Sequence, residues 1–269
     1  MPLRPRLPPA MPAPAAVSRR PRLGRRIAAA LAGLLLATAP LLPAAAAEIG
    51  QAERQQIEAI IHDYLMQHPD VLMEALQAAE DKLKGEEQEK ASKAVVERRQ
   101  QILNDAATPV GGNPNGDVSV VEFFDYRCPY CKQVEPSLEK LLAEDQQLRF
   151  VYKEMPVLGP ESVIAARAAL AARNQGKYLA FHIAMMNTKG QIGEDTVYTV
   201  AASVGLDLDR LKRDMAAPEI EMALKSNLDL ADQLDIRGTP GFVIGNQIVP
   251  GAVDIAALRQ FIDDARNGK

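Results

Sequence analysis

The chain contains two cysteines, and they stand together as Cys128-Pro129-Tyr130-Cys131. A dithiol at this spacing can interconvert with a disulfide, one thiolate attacking and the other resolving the mixed disulfide. Residues 118–126 (VSVVEFFDY) are β-branched and aromatic, the pattern of a buried strand. After Lys132, Val134, Leu138, Leu141 and Leu142 recur at helical spacing, so the cysteines fall where a strand turns into a helix. The first turn of a helix leaves N–H groups unpaired and carries the positive end of its dipole. A thiolate is stabilised there, and C-x-x-C thiols reach pKa values of about 3.5–7.5 against about 8.5 when free. Pro129 suits that first turn because its missing N–H costs nothing. Cys128, the N-terminal and more exposed sulfur, is assigned as the nucleophile, and Cys131, one turn deeper, as the resolving thiol.

Three other uses of the pair compete with redox exchange. A structural disulfide would close too short a loop to add much stability. A closed zinc site needs four ligands, and His62, His68 and His182 show no finger-like spacing. Cu(I) binding is chemically reasonable, since soft thiolates favour that ion. The strand–turn–helix context favours the redox dithiol.

Composition points to export. Seven arginines between Arg4 and Arg26 precede an apolar run over residues 27–42, and Ala45-Ala46-Ala47 offers an A-x-A cleavage site. Residues 1–47 therefore read as a secretory signal, with cleavage near Ala47 and a periplasmic mature protein. Pro40 and Pro43 interrupt the run, which argues against a retained membrane anchor. The arginine pairs at 19–20 and 25–26 leave twin-arginine export open. Removing the signal takes seven Arg and no acid, so net charge moves from −4 to −11. So acidic a protein is a poor nucleic-acid binder. An exported chain whose only cysteines form C-x-x-C uses disulfide chemistry as an activity rather than a staple.

The elements that must position the dithiol follow in order. Residues 48–107 are rich in Ala, Glu, Gln, Lys and Arg, with an apolar stripe through Ile57, Ile61, Tyr64, Leu65, Val71, Leu72, Leu76 and Leu83. His68-Pro69-Asp70 and Gly85 break the pattern, and a thin seam continues at Ala91, Ala94, Val95, Ile102 and Leu103. Such helices lack the apolar surface for a core of their own. They either fold back on the catalytic domain or pair with another subunit through a coiled-coil-like seam, and their length and charge favour a self-associating stalk. Residues 108–117 (TPVGGNPNGD) are a turn-rich linker.

Residues 148–155 read as a second strand, parallel to the first through a βαβ unit. An alanine-rich helical region then runs from about residue 160 to 234, broken at Gly176, Gly190, Gly193 and Gly205. His182 within it reads as a structural or surface histidine. Residues 241–244 and 247–250 form a hairpin around Gly245-Asn246, and Asp254 caps a closing helix. The fold class is α/β, with a helical insertion inside residues 118–269.

In CPYC at 128–131, Arg237-Gly238-Thr239-Pro240-Gly241, and an acid six positions before the nucleophile, the chain resembles the exported DsbA-like thiol:disulfide oxidoreductases. That resemblance implies a thioredoxin fold with an inserted α-helical domain. It implies a cis Thr239-Pro240 beside the dithiol, with the Thr239 backbone receiving an extended substrate segment. It also implies that Glu122 is the buried acid accepting or relaying the proton of Cys131. The Pro129-Tyr130 dipeptide departs from the archetypal Pro-His, leaving no imidazole in the motif, and Arg127 is expected to supply positive charge instead. The N-terminal helices resemble those of the ScsC-like branch, whose members include trimers with isomerase activity and others tied to copper tolerance. The expected partners are exported thiol or disulfide proteins, a membrane redox partner and further copies of the chain through residues 48–107. No metal or cofactor is expected.

Overall fold

The structure, a computed structural model, describes residues 50–268; the signal-peptide assignment lies outside the described residues. The chain divides into two compact units between Ile61 and His62. In the first, the described residues belong to the start of α1 (Gln51–Gln67), where Ile57, Ile60 and Ile61 are exposed. Pro69 opens α2 (Pro69–Glu97), as the His68-Pro69 pair predicts. Gly85 does not break this helix, contrary to the sequence reading. One glycine costs only about 1 kcal/mol relative to alanine, too little to interrupt a helix of this length. Then come α3 (Arg99–Leu103) and the edge strand β1 (Val110–Gly112), which lies inside the stretch read as linker.

The elements around CPYC follow: β2 (Val118–Phe124), α4 (Pro129–Glu144) and β3 (Leu148–Glu154). The insertion comprises α5 (Pro160–Arg173), α6 (Tyr178–Met186), α7 (Glu194–Ser203), α8 (Leu208–Met215) and α9 (Pro218–Gln233). The chain closes with β4 (Gly241–Ile244), β5 (Gln247–Pro250) and α10 (Ile255–Arg266), the last capped by the Asp254 side chain on Ala257 N. Gly176 and Gly205 turn the chain between insertion helices with φ of 68° and 73°, where a Cβ would be strained.

The sheet order is β1-β3-β2-β4-β5. β2 and β3 are parallel, as the βαβ reading predicts, while β1, β4 and β5 pair antiparallel with their neighbours. β2 is therefore the central strand, and its alternation sends residues to two different cores. Val118, Val120 and Phe124 join Phe150, Tyr152, Phe242 and Ile244 on the face that also packs α4, α10 and the insertion. Val121, Phe123, Val151 and Val243 face the other way, against Leu230, Leu234, Ile236, Val95 and Ile102.

The last two of these come from α2 and α3. The C-terminal end of the segment read as stalk thus covers the second face of the sheet. Lys153, fully buried on β3, donates to Gln101 O at 2.9 Å and to Thr108 Oγ1 at 2.7 Å, with Asp105 at 3.7 Å. Arg149 adds a 2.6 Å bond to Leu103 O. Cations on β3 thus hold the carbonyls at the end of α3, where the helix dipole is negative.

Candidate active site

Cys128 is the N-cap of α4, with φ −71° and ψ 117°, and Pro129 occupies the first turn. The turn into the helix is built by Asp125. Its carbonyl accepts from Cys128 N at 3.0 Å, and its carboxylate accepts from Arg127 N, Val157 N, Leu158 N and Ser162 Oγ at 2.8–3.0 Å. One buried carboxylate thus fixes both the nucleophile's turn and the loop between β3 and α5. Sequence reading missed Asp125, because the four donors come from two segments at least 30 residues apart.

Both cysteines are free thiols, Cys128 3 % exposed and Cys131 fully buried. The order of exposure agrees with the assigned roles, although Cys128 is far less open than its place in the sequence suggests. Its thiol donates to the carbonyl oxygen of Thr239 at 3.1 Å. Thr239-Pro240 is a cis peptide bond, and the loop carrying it brings that carbonyl to the helix mouth. The Cys128 pKa is lowered to about 5. The hydrogen bond from the Cys131 thiol acts most strongly, with the Thr239 side chain and the backbone N–H groups of Cys131 and Tyr130 helping against the cost of burial. The same bond, together with burial and the charge of Glu122, pushes the Cys131 thiol far above its ordinary range. The pair is split into an acidic and a reluctant thiol, the division of labour that attack and resolution require.

Arg127 is placed differently from the sequence expectation. Its guanidinium binds Leu158 O and pairs with Glu161 at 2.8 Å, and it is not among the groups that acidify Cys128. The helix mouth supplies by hydrogen bonding what Arg127 was expected to supply by charge. Tyr130, 60 % exposed, stands at the surface beside the dithiol.

Glu122 lies on the same face of β2 as Val120 and Phe124, fully buried, and neither carboxylate oxygen has a hydrogen-bond partner. Burial first, then the charges of Glu135, Cys128 and Glu154, raise its pKa well above the usual carboxylate range. When ionised, a carboxyl group with so raised a pKa is a strong base, able to take the proton of a nearby thiol. Two of the charges that act on it come from buried groups the sequence did not reveal, Glu135 on α4 and Glu154 on β3, the latter bonded by the Tyr126 and Tyr178 hydroxyls. His182 is structural in the sense expected, with its ring packed against Phe124, Tyr126, Tyr152 and Tyr178. Glu135 stands four residues after Cys131, a spacing that places it on the inner face of the helix and is the one signal that could have found it. Met155, the methionine nearest the motif in sequence, packs in the core on the opposite face of the sheet from both cysteines.

Comparison with known proteins bears on the family and the fold. A thioredoxin-like oxidoreductase from Silicibacter pomeroyi DSS-3 is 48 % identical, with a TM-score of 0.62 over 63 % of this chain and 98 % of that one. Proteus mirabilis ScsC in a transitional conformation is 30 % identical, with a TM-score of 0.62 over 82 % and 100 %. The Na(+)/H(+) antiporter NhaA 1 of Salinispora arenicola is 31 % identical over 161 residues, 59 % of this chain; the chain spans about a quarter of that antiporter's length, 25 %. Residues 53–85 match the model described as the copper resistance protein ScsC N-terminal domain. Residues 119–263 match the DSBA-like thioredoxin domain, and the chain belongs to that family.

Proposed function

We propose that the chain is a periplasmic thiol:disulfide oxidoreductase that exchanges disulfides with exported proteins through Cys128 and Cys131. The observation that carries this reading is the Cys128 thiol, acidified at the helix mouth and in hydrogen-bond contact with the Thr239 carbonyl. Cys128 thiolate attacks one sulfur of a substrate disulfide. An S–S bond forms to Cys128, and the other substrate sulfur leaves as a thiolate. Cys131 then gives its proton to the ionised form of Glu122 and attacks Cys128, so the second substrate sulfur leaves and the enzyme holds the disulfide. Run backwards, the same steps oxidise a client dithiol, and a membrane redox partner restores the disulfide. The Thr239–Pro240 segment receives the substrate backbone as an added strand. Tyr130 lends the mouth an apolar, rotamer-poor contact.

The N-terminal helices join subunits. Leu72, Met73, Leu76 and Leu83 on α2 are exposed, as are Ile57, Ile60 and Ile61 on α1, and their match to an ScsC N-terminal domain supports the same reading. Several dithiols facing one client suit an isomerase, a lone domain an oxidase. The test measures solution mass and refolding of a misbridged substrate, with and without residues 50–85. An oligomer that unscrambles the substrate and loses this on truncation is the isomerase, and a monomer that only oxidises is the oxidase. Absence of any exchange with glutathione overturns the proposal.

One observation favours a second reading, Cu(I) binding by the same dithiol: the N-terminal match carries the description of a copper resistance protein. Stoichiometric Cu(I) binding with negligible disulfide exchange would select it.

A further inference from the structure

Besides the Thr239-Pro240 loop, the mouth of α4 borders on the loop between β3 and α5, which the exchange steps leave unused. Asp125 ties that loop to the nucleophile's turn. Its carbonyl accepts from Cys128 N at 3.0 Å, and one carboxylate oxygen accepts from Val157 N at 2.9 Å and from Leu158 N at 3.0 Å. Arg127, the residue before the nucleophile, holds the same loop by its side chain. Its Nη1 donates to Leu158 O and to Glu161 Oε2, the second at 2.8 Å. A Cβ on Gly159 would come within 2.9 Å of that nitrogen and 3.4 Å of Glu161 Oε2. The loop therefore curls around the guanidinium, and the missing side chain at 159 leaves the room it occupies.

The loop is bound at its backbone, yet two consecutive large apolar side chains, Val157 and Leu158, stand exposed. Tyr130, in the first turn of α4, is exposed as well. A lone exposed apolar residue is ordinary, whereas several at the rim of one site mark a contact surface. The chemistry of the site says what would touch it. Cysteine is among the residue types most often buried in folded proteins. A client cysteine still open to exchange therefore sits in a segment of future core, with apolar neighbours not yet packed. Small disulfides such as that of glutathione carry no such neighbours.

We propose that Arg127 is a positioning residue: it holds residues 157–161 so that Val157 and Leu158 meet the apolar side chains beside a client's cysteine. The inference rests on the reading of Cys128 and Cys131 as an exchanging dithiol. It names the client that this dithiol favours, an unfolded segment with apolar residues flanking its cysteine. Arg127 acts on that client only through the loop. An exposed ion pair alone contributes little. Here, however, the nitrogen that pairs with Glu161 also holds the Leu158 carbonyl, so its loss frees the loop where the apolar side chains stand.

Two symmetric peptide disulfides of equal length test this, one with leucine and one with serine on both sides of the cysteine. The reduced chain turns each into two peptide thiols, and its own two thiols become the Cys128–Cys131 disulfide. The wild type should reduce the leucine peptide about tenfold more efficiently, measured as kcat/KM, with the difference in KM. Arg127→Gln should bring that preference down to about twofold, again through KM. Val157→Ser together with Leu158→Ser should do the same. Adding Arg127→Gln to that pair should change nothing more, because Arg127 acts through those two side chains. A merely structural loss would slow both peptides alike and would add to the serine replacements. An Arg127→Gln preference equal to wild type, or additive losses, overturns the inference. Should Arg127→Gln fail to fold, Glu161→Gln, which weakens one of the two side-chain bonds, should lower the preference part-way, and an undiminished preference overturns the inference. A wild type that reduces neither peptide sinks the dithiol reading and this inference together, whereas reduction of both with equal efficiency sinks only the inference.

Discussion

The thiol of Cys128 and the carbonyl oxygen of Thr239, 111 residues apart in the chain, lie 3.1 Å from each other. That contact joins the mouth of α4 to the loop before β4, and it sets the acidic thiol against the cis Thr239-Pro240 bond.

The acidity of Cys128 is directly measurable. Iodoacetamide alkylation of the reduced chain should rise with pH around a midpoint of about 5. Cys131→Ala removes the strongest acidifying contact and Thr239→Val removes the next hydrogen-bonding side chain, so both should raise the midpoint, the first more than the second. A midpoint unchanged in both variants would contradict this account of the helix mouth.

The same shift makes the reduced fold pH-dependent. The folded pKa of Cys128 lies below its ordinary value of 9.0, so the stability gained by ionisation is fully present above about pH 9 and lost as pH falls through about 5. The urea midpoint of the reduced chain should therefore fall towards that of Cys128→Ala on acidification. Curves that stay parallel would refute the linkage.

Glu122 should show the stability cost of a buried, unpartnered carboxyl. It is buried with both oxygens unpartnered, so Glu122→Leu should stabilise the fold by about 1–3 kcal/mol while slowing resolution by Cys131. The folded pKa is raised, so folding favours the protonated form. The wild type loses that contribution as pH climbs from 4.5 towards the folded value. The gap between variant and wild type in chemical denaturation should accordingly widen with pH.

Asp125 ties the turn before Cys128 to the loop at residues 157–162 through four hydrogen bonds. Asp125→Ala leaves buried N–H groups without acceptors, and about 2–4 kcal/mol of stability should go with them. Hydrogen exchange should quicken at the Val157 and Leu158 amides, and unchanged protection there would show that the loop is held by other contacts.

The truncation boundary is predicted by burial. A chain starting after residue 85 keeps Val95 and Ile102 in the second core and should remain folded. One starting after residue 107 uncovers Val121, Phe123 and Val243 and takes Gln101 and Asp105 away from Lys153, so it should be markedly less stable. Ile102→Ala in the full chain should cost about 2–5 kcal/mol in denaturant titration. A negligible loss would mean that α3 is not part of the catalytic domain's core.

The sequence by itself determined what is local. A β-branched run before CPYC and apolar helical spacing after it specify a strand feeding a helix, and that junction favours a polarised dithiol over the pair's other uses. Turn residues and periodicity marked the insertion and the closing hairpin for the same reason, since each is encoded within a few neighbouring positions. Only the tertiary structure decided what depends on distant segments meeting. Alternation along β2 assigned Glu122 a face but could not show that β2 is central or that no donor reaches the carboxylate. Arg127 found Glu161 instead of serving the thiolate, because the loop after β3 folds over it. The seam at Val95 and Ile102 suits a partner subunit or the chain's own sheet equally well, since an apolar stripe specifies that something must cover it and not what. His182 and Glu135, 47 residues apart, come within 3.5 Å only because α6 packs across α4. Periodicity reports which residues are buried, whereas the environment each one meets there is a property of the assembled fold.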